Sequence, residues 1–148
     1  MIKTFRGRLP DGGQDRIRLS TKTGKTGYRI IKFNLYMLSP GTVDQESTMR
    51  LWKVKQASVG VGSVEVDFAD NNMLAVGSTM GWSDRQVSDT VVIFDQEVFN
   101  QDIYITHTET LAAIDCNYYL ELETIPLTDN AAAVSTLRDI RLNPQVGG

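Results

Sequence analysis

From Ile103 the chain runs Ile-Tyr-Ile-Thr-His-Thr, so Ile103, Ile105 and His107 share one parity while Tyr104, Thr106 and Thr108 share the other. A period of two marks a half-buried strand, because successive side chains of an extended chain point to opposite faces. The same period recurs in Ile2 to Leu9, Arg16 to Leu19, Tyr28 to Met37, Thr48 to Gln56 and Cys116 to Leu122. Turn chemistry punctuates these runs: Pro10-Asp11-Gly12-Gly13, the glycines of Lys22 to Gly27, and Ser39-Pro40-Gly41. The first two runs, joined by the Pro-Asp-Gly-Gly turn, predict a β-hairpin. In the third, Arg29, Ile31, Phe33, Leu35 and Met37 form the expected core face. Thr90 to Asp95 and Gln101 to His107 predict two strands flanking a short connection. A short strand is expected at Val64 to Phe68, whereas Met73 to Asp89 sustains no period and reads as a long loop.

Only the C-terminal end carries a helical pattern. Thr128 or Asp129 supplies an N-cap, three alanines follow, and Ala133, Leu137 and Ile140 fall on one stripe. A helix of about 129–142 is expected, stopped by Pro144 and followed by a flexible tail, 143–148. About eight short strands plus one helix predict a single all-β domain over 1–148, a jelly-roll-like β-sandwich with the helix as a clasp or an arm. Strand order is not legible from the pattern.

Composition narrows the function. At 148 residues, 41% hydrophobic and 22% charged, the chain is long enough to bury a core without metal or disulfides. Its net charge of −3 gives no global field for nucleic acid or an anionic membrane, so no specific nucleic-acid partner is expected. Cys116 is the only cysteine, which excludes an intrachain disulfide and a thiolate zinc cluster and fits synthesis in a reducing cytoplasm. The charged start lacks a signal-peptide pattern, and no run approaches the roughly 18 apolar residues of a membrane span.

Candidate chemistry is sparse. The glycines at Gly12, Gly60 and Gly62 match neither a dinucleotide fingerprint nor a phosphate loop, and Gly24-Lys25-Thr26 leads into a strand. Glu65, Asp67 and Asp70 lack the calcium-loop spacing and read as a solvated face. His107 sits at the margin of an apolar face with no evident partner, and Cys116 shares parity with Tyr118, Leu120 and Leu122, so both read as structural. No catalytic, cofactor or metal residue is expected. The candidates for an interface are Arg6 and Arg8 on the first hairpin, which with Lys3, Arg16 and Arg18 suit an acidic protein neighbour. Trp52, Trp82 and Leu137 join them as large apolar groups in weakly patterned regions or on the helix stripe.

The runs "KTFRGRLPDGGQDRIRLST", "TVVIFDQEVFNQDIYITH" and "CNYYLELETIPLTDNAAAVSTLRDIR" resemble a family of small virion structural proteins of tailed bacteriophages that infect marine bacteria. The resemblance covers most of the chain and is weakest between Val43 and Asp89. It implies a non-enzymatic particle component, made in the host cytoplasm and carried in the virion. Decoration or cementing of the capsid, as a homo-oligomer on the major capsid protein, is the expected role. A head-tail connector, a tail or fibre part, and a carbohydrate-binding sandwich that stacks Trp82 on a sugar are the alternatives.

Overall fold

The computed structural model describes residues 1–60, 65–82, 88–94 and 97–142, with side chains as far as 138. Eight strands and one helix follow in chain order: β1 (Ile2–Leu9), β2 (Gln14–Ile17), β3 (Thr26–Met37), β4 (Gln45–Trp52), β5 (Met73–Gly81), β6 (Ser88–Ile93), β7 (Ile103–Glu109), β8 (Cys116–Pro126) and α1 (Asp129–Leu142). The strands divide into a three-stranded sheet, ordered β1-β8-β3, and a five-stranded sheet, ordered β2-β7-β4-β5-β6. Every pairing is antiparallel. The two sheets face each other across one apolar core, which makes the molecule an all-β sandwich. Phe33, Leu35, Leu120 and Leu122 of the smaller sheet meet Met49, Leu51, Ala75, Ile103 and Ile105 of the larger.

β1 and β2 do not form the expected hairpin. β1 pairs with β8, and β2 pairs with β7 in the opposite sheet. The Pro-Asp-Gly-Gly turn is instead a corner between sheets. Gly12, at φ 80°, donates its N–H to the His107 carbonyl at 2.9 Å, and His107 returns an N–H to Gly13 at 3.1 Å. Glycine supplies the left-handed backbone this corner needs.

The expected core face of β3 holds only in its second half. Opposite β8 the register passes from Ile30↔Leu122 to Lys32↔Glu121, leaving Ile31 as the extra residue of a bulge. A bulge exchanges the faces of everything beyond it. Tyr28 and Ile30 are therefore buried before it and Phe33, Leu35 and Met37 after it, while Ile31 is 40% exposed.

The segment expected to be a long loop contains β5, near the centre of the larger sheet. Met73, Leu74, Ala75 and Val76 are all buried, so both faces are covered and no apolar–polar alternation can arise. Gly77 thins the pattern further, and its place is enforced by packing: a Cβ there would stand 2.6 Å from Leu35 Cδ1. The short strand expected at Val64 to Phe68 is absent over the described part, 65–68, while Val64 lies outside the described residues.

The helix occupies its expected span but docks by a different face. Ala132 is 4% exposed, and Asn100 Nδ2 donates to the Gly24 carbonyl at 3.0 Å, the Ala132 carbonyl at 3.3 Å and Thr136 Oγ1 at 2.8 Å. Arg138 adds a bond to the Val98 carbonyl at 2.6 Å. Leu137, on the expected docking stripe, is 56% exposed and Val134 is 65% exposed. Close approach through alanine and a shared asparagine replaces burial of the leucine. The Ile140 side chain, Pro144 and the tail 143–148 lie outside the described residues.

Candidate functional site

The outer face of the three-stranded sheet brings Arg6 and Arg8 together with aromatic side chains by strand register alone. Arg6 stands opposite Tyr119, which stands opposite Asn34; Arg8 stands opposite Asn117, which stands opposite Tyr36. Facing residues of an antiparallel pair share a side of the sheet, so these are two parallel rows crossing three strands, about 7 Å apart. All six residues line an open groove of about 840 Å³, whose lining also takes in the inward-facing Gly7, Leu35 and Tyr118 and, from the larger sheet, Ser78, Asp89 and Val91.

The rows are held by neighbours that leave their tips outward. Lys32 places its ammonium 5.9 Å from the Tyr119 ring centre, and the Tyr119 hydroxyl donates to Glu121 at 2.7 Å. That bond favours the protonated phenol and raises its pKa. Arg8 Nε lies 3.3 Å from Asp115. Tyr36 is 68% exposed. On the inner side, Gly7 leaves room for the Tyr118 ring, since a Cβ at Gly7 would stand 2.7 Å from its hydroxyl oxygen.

The other expected interface residues are dispersed. Arg16 belongs to the opposite sheet, where it pairs with the buried carboxylate of Asp102. Trp52 is half-buried on the outer face of the larger sheet, its indole N–H donating to Thr106 Oγ1 at 2.9 Å. Trp82, also half-buried, stands just past β5. Leu137 lies on the helix, away from the groove. Tyr36, Tyr119, Asn34 and Asn117 were not singled out from the sequence. Their proximity to Arg6 and Arg8 depends on β8 lying between β1 and β3, a non-local pairing.

His107 is not at a margin. β7 is buried on both faces, and His107 is 0% exposed in the sandwich interior. Its Nε2 lies 2.9 Å from Ser47 Oγ, and Gln45 Nε2 donates to the same oxygen at 2.8 Å. Nδ1 is buried without a hydrogen bond. Burial lowers the pKa of this imidazole, so the neutral ring is favoured. Cys116 is likewise 0% exposed, and burial pushes its thiol up to about 11. Ser47 thus links a buried histidine and a buried cysteine in the sandwich interior.

Among the described residues no group of three His, Cys, Asp or Glu side chains is placed to hold a metal ion, and no helix is long and apolar enough to cross a membrane. The chain matches no family model and no curated protein.

Proposed function

We propose that this chain is a non-enzymatic structural protein of a tailed-bacteriophage virion, a decoration protein that seats on the major capsid protein. The observation that carries the proposal is the pair of rows Arg6-Tyr119-Asn34 and Arg8-Asn117-Tyr36 along an open groove. An exposed and a half-buried tyrosine flanked by arginines and amides have the composition of a protein interface, in which aromatic and arginine side chains anchor the contact. Two arginines on a chain of net charge −3 favour an acidic patch on the partner. The resemblance of the sequence to small virion proteins supplies the particle. Synthesis in the host cytoplasm and assembly as a symmetric oligomer belong to the same proposal.

The test is copy number in purified virions. Hundreds of copies support capsid decoration, and about a dozen or fewer, a number set by the symmetry of a ring, support a connector or tail position. Absence from virions overturns the structural role. The double variant Arg6→Glu, Arg8→Glu then tests the groove: binding to particles lacking the protein should weaken at least tenfold with the melting temperature unchanged.

A further inference from the structure

A second pocket lies on the outer face of the five-stranded sheet. Arg50 stands opposite Thr106, and Thr48 opposite Thr108, in the pairing of β4 with β7. The described parts of the following connection, 53–60 and 65–72, lie over this face: Gln56 and Gln14 exchange backbone and side-chain hydrogen bonds at 3.0 and 3.1 Å, and Lys53 donates its N–H to the Asn72 carbonyl at 2.8 Å. Between sheet and connection is a cavity of about 220 Å³ lined by Arg50, Trp52, Thr106, Thr108, Asp67 and Asp70, among others.

Arg50 is 7% exposed, yet its hydrogen bonds among the described residues go to neutral oxygens: Nη1 to Thr108 Oγ1 at 3.2 Å and Nη2 to the Glu65 carbonyl at 2.5 Å. No carboxylate among the described residues lies within ion-pair distance of it. A guanidinium carries five N–H donors, and a buried charge without a counter-ion is costly. Trp52 donates to Thr106 and Arg50 donates to Thr108, which leaves both threonine hydroxyl hydrogens to turn toward an acceptor. The floor of the cavity is a set of donors around one positive charge.

The rim has the opposite character. Asp67 and Asp70 each use Oδ1 on a backbone N–H of their own turn, from Ala69 and Asn72 respectively. Rim carboxylates repel a bare inorganic anion but accept N–H or O–H groups. The volume is below the roughly 300–1,000 Å³ of drug-sized sites. We propose that this pocket binds a small carboxylic acid that carries its own amino or hydroxyl donors, with the carboxylate on Arg50, Thr106 and Thr108 and the donors on Asp67 and Asp70. A free amino acid and a sugar acid share this chemistry.

The experiment follows the Trp52 indole N–H by NMR in the full chain, assigned with Trp52→Phe, while glycine, glucuronate, glucose and inorganic phosphate are titrated separately. Glycine or glucuronate should shift the resonance saturably, and whichever binds more tightly identifies the source. Glucose and phosphate should not. Arg50→Gln should abolish the shift, and Thr108→Val, which keeps the charge, should weaken binding at least threefold. The pocket assignment is overturned if neither carboxylate moves the resonance of the folded protein, if phosphate moves it equally, or if the shift persists in both variants.

Discussion

His107 Nε2 and Ser47 Oγ stand 2.9 Å apart inside the sandwich, on neighbouring strands of one sheet, with both side chains closed off from solvent. The pair has the elements of a nucleophile and base but no access, and it serves as a polar tie in the core.

Truncation of that tie should affect stability rather than function. His107→Ala leaves a cavity and removes the ring partner of the Ser47 hydroxyl, at a cost of about 3 kcal/mol. Calorimetry should show a lower melting temperature, while particle binding below the melt stays near wild type.

The same histidine predicts a pH dependence. Its folded pKa lies below the ordinary 6.5, so the unfolded chain binds the proton first as pH falls. Its contribution is full above about pH 6.5 and declines toward the folded pKa. A melting series from pH 7.5 to about 5 should fall in wild type and flatten in His107→Gln.

Two carboxylates act at lower pH. Burial alone would raise Asp102, but N–H groups of Ser20 and Leu19 and the Arg16 guanidinium more than offset it and lower its pKa. Burial also opposes Glu109, whose carboxylate accepts backbone N–H groups from Glu46, Leu111, Ala112 and Ala113 and is likewise lowered. Both contributions are present above the ordinary carboxylate range and are lost as pH falls through the lowered values. Glu109→Ala should cost about 2–4 kcal/mol at neutral pH, because Ala113 holds a left-handed φ of 52° in the turn that this carboxylate ties. Denaturant melts at pH 7 and pH 3 check it: the gap between variant and wild type should narrow at pH 3.

Packing predicts a contrast on the helix. Leu137→Ala should change the melt of the isolated protein by less than about 0.5 kcal/mol, since its side chain is largely exposed. Asn100→Ala, which removes two hydrogen bonds tying α1 to the sandwich and a third to the Gly24 carbonyl, should cost about 1–3 kcal/mol and expose the helix to limited proteolysis.

How far the fold was legible follows from what each segment packs against. β8 and the second half of β3 have one covered face, and their alternation marks them. β5 is covered on both faces, so the same physics that buries it erases its period. β3 carries two phases spliced at Ile31, and a single parity cannot describe both. The helix span was set by its N-cap and alanines, but its docking face was chosen by Asn100, far away in sequence. Arg6 and Arg8 were legible as exposed cations; the tyrosines beside them became neighbours only through the pairing with β8.

That central position of β8 has a temporal consequence. β1 and β3 bond to β8 and not to each other, so the smaller sheet has no middle until residues Cys116–Pro126 exist. During synthesis β1 therefore leaves the ribosome without a partner and waits until β8 has followed it. Closure over such long separations makes folding slow, on a scale of roughly milliseconds to seconds for all-β topologies. In the interval β1 is an unpaired edge, and its Lys3, Arg6 and Arg8 are the kind of charges that keep a waiting edge from joining another chain. The arginines that line the groove of the finished molecule thus guard the unfinished one.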